Sequence, residues 1–529
     1  MKNVIYILIG CLFLCSCGDY LKEYSKDLTY ATSCEDLDEI LIGNGYMASN
    51  QNNSSFSGTY VQNGKYYYPW LHVMDDDITE FATGNYSTTS TGVAATYLRP
   101  FYGWQPEPFQ DVKGILYDDP NWIKLYEHIG NLNVIIAQVK EFVHDKEEIR
   151  NRVTGEAEFL RGAYYFLLVN MYGKPYVKES ASTDLGVPLN LTEQIEDKYF
   201  SRASVKEVYE QIVKDLKNAA DHLSGIVQPT FYRVNEVAAR IFLSRVYLYM
   251  GEWKSALEEC DKAIALGCPL KDLNDLKSED IKKTGMDSKV KEEYFYDVSC
   301  PEILFTQGTN SMHVLMYDNN TCGRYRASDE LIALYSQYID EGVNDLRLQG
   351  FFSTSSKDGN YYLARKNPVL LASVKAFDGF IIRTAEAYLN KAEAEFMLEQ
   401  GNPVATLKVL LENRFEEGNI PTSIDGLSGQ QLIEFIRNER RRELCFECHR
   451  WFDLRRYAVC EKYPEKLEIK HAVMGPATTS GVNGIHAGDY VLKSYGEDPA
   501  WVLPIPAYEI SYNKGNMVDN ENREDRPLR

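Results

Sequence analysis

Apolar residues recur at helical spacing through the middle and the later third of this chain. In residues 121–142 they return every three or four positions, which predicts an amphipathic helix. A second helical pattern covers residues 147–171 and stops at Gly173, and a third covers residues 204–223. The spacing therefore predicts a mainly α-helical protein whose helices follow one another closely.

Two stretches have the pattern of tetratricopeptide helix pairs. In residues 240–267, Gly251 falls at the turn, and Ala256 and Ala263 let the second helix approach the first. Residues 382–417 repeat this arrangement, with another glycine at the turn. We expect a tetratricopeptide-like helix-pair scaffold over about residues 121–267 and 382–457.

The remaining segments are irregular and rich in aromatic residues. About residues 50–118 and 270–376 lack a clear helical period and contain many Ser, Thr, Gly and Tyr residues. Long irregular insertions in a compact protein usually carry its function. The helices are thus predicted to form a platform, and the loops are predicted to form a ligand-binding lobe.

The N-terminus has the features of a bacterial lipoprotein signal. Lys2 precedes an apolar run over residues 4–14, which is too short to span a membrane as a mature helix. The run leads into Leu-Cys-Ser-Cys, where Cys17 is the candidate for lipidation. We expect residues 1–16 to be removed and residues 17–529 to form one domain anchored to a bilayer by its acyl chains.

Net charge and cysteine content narrow the function classes. The formal net charge of −21 argues against a nucleic-acid-binding protein, which needs basic surfaces to contact phosphates. After the signal and Cys17, eight cysteines remain. An exported protein can form disulfides, but eight cysteines allow 105 complete pairings, so their pairing stays open.

Two patterns suggest metal or cofactor chemistry. Residues 445–449 read Cys-Phe-Glu-Cys-His, the pattern for covalent haem attachment, although they fall within a continuous helical pattern. A zinc site would need a second ligand pair. Residues 75–77 are three consecutive aspartates that could hold calcium, but no EF-hand-like spacing is present. We expect these aspartates to bond to a ligand or to loop backbone instead.

Carboxylates at helical spacing raise the possibility of catalysis. Glu439, Glu443 and Glu447 recur every four residues, and paired carboxylates can carry out glycoside hydrolysis. Arginines surround them in the sequence, so we expect ion pairs with these neighbours that join the helix to the scaffold.

The aromatic residues of the loops are the favoured ligand contacts, because sugar C–H faces stack on exposed rings. Tyr102 and Trp104 lie between Pro100 and Pro106, which suggests a rigid, exposed platform. The candidate ligand-binding residues are Asp77, Tyr97, Tyr102, Trp104, Tyr296, Tyr317 and Tyr325.

A set of motifs along the chain resembles the SusD/RagB family. The lipidation motif Leu-Cys-Ser-Cys, which ends at Cys17, comes first. The other matching segments follow in the same order as in the family. These segments are residues 156–166, 171–173, 201–209, 238–253, 389–394, 436–457 and 503–513. Residues 436–457 resemble the family's E-R-R-x-E-L-x-F-E-x-H-R-x-x-D-L-x-R helix, which commonly has Gly where this chain has Cys448. We therefore interpret this segment as structural, with Cys448 buried or unpaired and without haem.

The resemblance implies a cell-surface lipoprotein of the outer membrane that binds nutrients and is not an enzyme. Such a protein captures oligosaccharides and delivers them to a partner SusC-like TonB-dependent barrel, with no cofactor. Peptide capture, as in RagB-like members, is the alternative within the family. A helical glycosidase and a tetratricopeptide adaptor that binds only the barrel are the alternatives outside it.

Overall fold

The computed structural model describes residues 31–49, 61–80, 97–111, 113–276, 294–296, 300–316, 325–354, 362–367, 376–474 and 486–529. Tyr317, Cys17 and Cys322 lie outside these residues. The helices are α1 Cys34–Ile40, α2 Pro120–Gln138, α3 Glu147–Tyr172, α4 Val205–His222, α5 Glu236–Met250, α6 Trp253–Ala265, α7 Met312–Leu315, α8 Asp329–Ser336, α9 Arg347–Gly350, α10 Thr384–Leu398, α11 Pro403–Leu411, α12 Gly429–Leu444, α13 Arg450–Ala458 and α14 Ala507–Tyr512.

Local sequence signals set the ends of several helices. Ser204 caps α4 in a capping box, because its side chain accepts the Glu207 N–H and the Glu207 carboxylate accepts the Ser204 N–H. Asn235 caps α5, and Gly251 ends it in the left-handed conformation with a φ of 70°. The ends at Ser204 and Gly251 agree with the sequence prediction, but α5 begins at Glu236, four residues before the predicted start of the unit at residue 240.

Successive helices pack on one another as pairs. The pairs α2–α3, α3–α4, α4–α5, α5–α6 and α10–α11 are in contact, and α10 also packs against α6 and α12. Gly155 of α3 permits close approach to α4, since a Cβ there would lie 2.8 Å from Leu223 Cγ. The prediction of a mainly α, tetratricopeptide-like scaffold is therefore confirmed.

Helix α3 is the centre of the scaffold. Every residue from Val153 to Tyr172 is buried, so this part of α3 is covered on all sides. Arg161 lies in the buried part of α3, within the family-like segment 156–166. Its guanidinium pairs with the Asp215 carboxylate of α4 at 2.6 Å. The pair links two neighbouring helices inside the core.

Short antiparallel strand pairs connect the scaffold to the irregular segments. The strands are β1 Ile78–Glu80, β2 Ile303–Gln307, β3 Tyr325–Ala327, β4 Phe352–Thr354, β5 Tyr362–Ala364, β6 Phe380–Arg383, β7 Ile469–Met474 and β8 His486–Leu492. They pair as β1–β3, β2–β6, β4–β5 and β7–β8. β1 also contacts β7, and β3 contacts β5, so three of these pairs form one framework beside the helices.

Candidate functional site

Three of the six aromatic residues predicted to bind ligand lie in one buried cluster. His471 of β7 lies between the rings of Tyr102 and Trp104, each with its centroid 4.2 Å from the imidazole. Tyr325 of β3 packs against Tyr102 at 5.3 Å. We call Tyr102, Trp104, Tyr325 and His471 the aromatic cluster.

The expectation of an exposed platform is wrong for Tyr102 and Trp104. Their exposed fractions are 0% and 1%, because His471 and the surrounding strands cover both rings. The Tyr102 hydroxyl donates to Ala472 O at 2.8 Å and accepts the Glu80 N–H at 3.0 Å. These contacts make Tyr102 a link between β1 and β7, and its role in ligand contact remains a prediction.

His471 fixes the position of the two loops that meet at β7. Its Nδ1 lies 2.8 Å from Tyr102 O, and its Nε2 lies 2.8 Å from Asp75 O. Burial lowers the pKa of His471 to about 4, although the two carbonyl acceptors act in the opposite direction. A neutral ring carries one N–H and donates to only one of these two carbonyl oxygens, whereas a protonated ring can donate to both. No sequence pattern pointed to His471.

Two of the three consecutive aspartates, Asp76 and Asp77, are tied to the end of α12 and the start of α13. Arg450 donates to Asp76 through Nε at 2.7 Å and Nη2 at 2.9 Å. Arg441 Nε donates to Asp77 Oδ1 at 2.7 Å. Burial and the neighbouring aspartates raise the pKa of Asp75 well above its usual range. Asp76 and Asp77 thus hold the loop to the helices through arginine, which the sequence did not predict, whereas Asp75 accepts the Asp77 N–H at 3.0 Å, a bond to loop backbone of the predicted kind.

The other candidates lie apart from the aromatic cluster. Tyr97 is 7% exposed and packs edge-on against Tyr117 at 6.0 Å. Tyr296 is 1% exposed and lines a small cavity together with Lys366 and Asp378. Tyr317 lies outside the described residues. The structure therefore brings Tyr102, Trp104, Tyr325 and the segment of Asp77 together, but not Tyr97 or Tyr296.

The carboxylates of residues 439–447 form a buried network of ion pairs with bases from other parts of the chain. Arg414 donates to Glu443 at 2.9 Å, and Arg383 donates to the same carboxylate at 2.6 Å. Arg414 also donates to Glu302 at 2.6 Å. The charged cluster comprises Glu302, Glu439, Glu443, Glu447, Arg347, Lys366, Arg383 and Arg414.

The predicted partners of these carboxylates are only partly correct. Glu439 pairs with the neighbouring Arg442, as expected, but also with Arg347 of α9. Glu447 pairs with Lys366 at 2.5 Å and with Arg383 at 3.0 Å, and neither base is close in sequence. The helix is thus joined to segments that the sequence spacing could not reveal.

The electrostatics of the charged cluster indicate a structural role. Burial alone would raise the pKa of Glu443, but Arg414 and Arg383 outweigh it and hold the pKa well below its usual range. Glu443 is 0% exposed, and its oxygens are occupied by three arginines. A general acid needs a proton near neutral pH and access to substrate, and Glu443 has neither.

The Cys-x-x-Cys-His segment is a turn, which corrects the expectation of a continuous helix. α12 ends at Leu444, and α13 begins at Arg450. Between them, Phe446 and Cys448 have φ values of 64° and 58°, in the left-handed region that favours glycine. This conformation is the physical reason why a glycine suits the position of Cys448.

The surroundings of the turn do not suit haem. Cys445 is 1% exposed and lies 3.4 Å from the Tyr335 hydroxyl, and burial raises the pKa of its thiol to about 11. His449 is 4% exposed, with Nδ1 3.1 Å from Arg440 Nη2. Haem attachment needs two accessible thiols and a histidine free to reach iron, so this geometry opposes it.

Cys448 instead contacts a buried histidine. Its Sγ lies 3.4 Å from His72 Nε2, and the same nitrogen lies 3.3 Å from Asp378 Oδ1. Burial lowers the pKa of His72, but Cys448 and Asp378 outweigh burial and raise it well above its usual range. Cysteine and histidine thus join the turn to the loop that carries the aspartates.

The described part of the chain contains neither a metal-binding group of side chains nor a disulfide. There, no group of three or more His, Cys, Asp or Glu residues is arranged to hold a metal ion. The cysteines that it includes are all free, namely Cys34, Cys260, Cys268, Cys300, Cys445, Cys448 and Cys460. The same residues contain no helix long and apolar enough to cross a membrane.

Comparison with known proteins identifies the family. A family model described as starch-binding proteins associating with the outer membrane matches residues 79–248. The SusD family model matches residues 373–522. The chain belongs to the SusD/RagB family. The two matches include both the early helices and the turn at Cys448, so the family's features extend over the scaffold and the loops between its helices.

Individual members of the SusD/RagB family resemble the chain over most of its length. SusD-like protein P25 of Formosa agariphila is 24% identical over 527 residues, covering 89% of this chain and 92% of its own. A putative sugar-binding protein of Bacteroides vulgatus superposes with a TM-score of 0.65 and 25% identity, covering 94% of this chain and 100% of its own. A laminarin-binding SusD-like protein shares the fold, with a TM-score of 0.55, 19% identity and coverage of 92% and 98%.

Proposed function

We propose that this protein is a glycan-binding lipoprotein of the cell surface that captures oligosaccharides for import. The observation that carries the proposal is that the chain belongs to the SusD/RagB family. One of the two matching family models is described as starch-binding and associated with the outer membrane. In this role the protein binds its ligand without chemical change and requires no cofactor.

The arrangement of the described elements supports a division between scaffold and ligand-binding lobe. β1, β3, β5 and β7 are in contact, and the irregular segments of the sequence connect to their ends. The aromatic cluster joins β3 and β7 to the segment of Tyr102 and Trp104, and the Asp76–Arg450 pair holds the loop before β1 to α13. A rigid base of this kind positions loops for binding, since sites held by packed neighbours lose less entropy on binding.

The carboxylates argue against the glycosidase alternative. Hydrolysis needs one carboxyl group that can donate a proton and a second that can reach the sugar. Glu439, Glu443 and Glu447 are buried, and ion pairs hold the pKa of each below its usual range despite burial. These three side chains are therefore assigned to stability.

The remaining parts of the proposal follow the family. Cys17 is the proposed lipid-bearing residue, which would hold the protein at the outer membrane after removal of residues 1–16. A SusC-like TonB-dependent barrel is the proposed recipient of the captured oligosaccharide. The formal net charge of −21 fits a ligand that is not a polyanion.

Binding to polysaccharides tests the proposal. The chain without residues 1–16 is examined by affinity electrophoresis and calorimetry against a panel that includes starch and laminarin. We expect retardation and a binding isotherm with at least one glycan, and no new reducing ends after prolonged incubation. Failure to bind every member of the panel would contradict glycan capture, and release of reducing sugar would favour an enzyme.

A further inference from the structure

A cavity lies among the later helices of the scaffold, and none of the residues that line it was predicted to bind ligand. It has a volume of about 300 Å³ and is bordered by the end of α10, the beginning of α11 and the beginning of α12. Volumes of this size are at the lower end of those seen for small-molecule sites. We call it the scaffold cavity and define it by Glu395, Phe396, Glu399, Gln400, Gly401 and Tyr463.

One wall of the scaffold cavity is aromatic. Phe396 of α10 and Tyr463, which follows α13, have ring centroids 5.2 Å apart at an interplanar angle of 52°. Both side chains are half-buried, so each ring keeps part of its surface available. Arg437 Nη2 donates to Tyr463 O at 2.8 Å and fixes the backbone that carries the ring. The wall is therefore a preformed aromatic surface.

The lining also offers carboxylate oxygens in a fixed position. Glu395 is 6% exposed, and its Oε2 accepts a hydrogen bond from the Thr406 hydroxyl at 2.7 Å. A carboxylate has about four acceptor positions, so Glu395 keeps the capacity to accept from a ligand hydroxyl. A Cβ on Gly401 would lie 2.7 Å from Glu395 Oε1, so the glycine leaves this oxygen room at the cavity edge.

The charges of the cavity select against ionic ligands. Lys391 Nζ lies 3.6 Å from Glu395 Oε1, and Lys462 Nζ lies 2.9 Å from Glu399 Oε1. Each lining carboxylate thus already has a cation, which leaves little attraction for an ammonium or guanidinium group. Each lysine is likewise paired with a carboxylate, which leaves little attraction for an anion. A neutral molecule with both hydroxyl groups and an apolar face fits these walls.

We propose that the scaffold cavity is a second saccharide-binding site, which takes one neutral sugar ring of a bound glycan. The ring's C–H face packs on Tyr463 and Phe396, and its hydroxyls donate to Glu395 and exchange hydrogen bonds with the Gln400 amide. This inference rests on the proposed function, but it assigns a separate site on the helices. Such a site would let the scaffold hold a second part of a long glycan and raise avidity.

Hydrogen exchange measured by mass spectrometry tests the inference. The chain without residues 1–16 is titrated with maltohexaose and, separately, with laminarihexaose. We expect one of these probes to slow amide exchange in residues 395–403 and around Tyr463. Tyr463→Ala should lower the affinity measured at these amides about tenfold, since the aromatic wall is lost. Tyr463→Phe keeps the ring and should lower it much less.

Matched variants separate the site from a general loss of binding. Tyr512→Ala removes a tyrosine that is more exposed than Tyr463 and does not line the cavity, so it should leave the protection unchanged. Glu395→Gln keeps the shape of the side chain and should weaken protection at residues 395–403 while the melting temperature stays near that of the wild type.

The outcomes distinguish this inference from the proposed function. Protection confined to other segments would overturn the scaffold site and leave glycan capture standing. Equal affinities of Tyr463→Ala and Tyr463→Phe at these amides would also overturn it. Absence of protection with both probes overturns the scaffold site, and only failure of the whole polysaccharide panel overturns glycan capture as well.

Discussion

The charged cluster and the aromatic cluster are both buried, yet different forces hold them. Glu443 in the charged cluster is surrounded by three arginines that neutralise it. His471 in the aromatic cluster has two stacked rings and two carbonyl oxygens around it, and burial keeps it neutral. The charged cluster therefore buries carboxylates whose charge is balanced by arginines, whereas burial in the aromatic cluster disfavours the charged form of His471.

This difference predicts which change breaks each cluster. Removal of one partner from a buried ion network leaves an uncompensated charge, whose cost is several kcal/mol. The aromatic cluster is sensitive instead to the arrival of a proton, because the imidazolium would have to form in a poorly solvated site. The two clusters should therefore fail under different conditions.

The largest expected effect is the loss of one carboxylate from the charged cluster. Glu443→Gln should lower the free energy of unfolding by about 3–5 kcal/mol, since Arg347, Arg383 and Arg414 lose a shared counter-charge. Urea denaturation followed by circular dichroism measures the change. Glu434→Gln, on the exposed side of the same helix, is the matched control and should shift the free energy by less than about 0.5 kcal/mol. Equal shifts for the two variants would show that the network contributes no more than a surface charge.

Protonation of His471 should have the next largest effect. Because its folded pKa of about 4 lies below the ordinary value of 6.5, its contribution is complete above pH 6.5 and is lost as the pH falls towards 4. His471→Gln cannot titrate, so the wild type's advantage over this variant should shrink by roughly 3 kcal/mol between pH 7 and pH 4. Thermal or urea unfolding at a series of pH values provides the measurement.

His222 supplies a control of opposite sign. Its hydrogen bond with Glu158 raises its pKa, so its contribution is present at low pH and is lost as the pH rises. The wild type's advantage over His222→Gln should therefore grow as the pH falls. The stability that the charged cluster contributes should be lost at a lower pH. The reason is that the pKa of Glu443 in the folded protein lies below its ordinary value of 4.5, so this carboxylate gains a proton only below that pH. If His471→Gln and the wild type lose stability in parallel, burial does not control the aromatic cluster.

The smallest effect concerns the turn that joins the charged cluster to the loop of His72. Cys448 has a φ of 58°, where glycine is unstrained and alanine is not. Cys448→Gly and Cys448→Ala both remove the contact with His72, so their difference isolates the backbone. We expect the glycine variant to be more stable by about 1 kcal/mol in urea denaturation. An alanine variant of equal or greater stability would mean that the turn relaxes without strain.

The helical scaffold could be predicted from the sequence because its signals are local. Each signal depends on residues only a few positions apart in the sequence. Examples are the capping box of Ser204, the turn at Gly251 and the small side chains in the segment 240–267. The chain of motifs that ends in residues 503–513 likewise identified the family. The aromatic cluster could not be predicted, since His471 is distant in sequence from Tyr102 and Trp104. A tyrosine between prolines has the same local pattern whether its face is covered or free.

The sequence by itself determined the helix pairs and the family, because periodicity, capping and motif order are properties of neighbouring residues. Only the tertiary structure decided the partners of Glu443, the burial of Trp104 and the cavity beside Tyr463. Those depend on which distant segments meet, and the free energy of a buried charge or ring is set by whatever surrounds it. The same residue type can therefore stabilise the core or present a binding surface, according to contacts that lie outside its own segment.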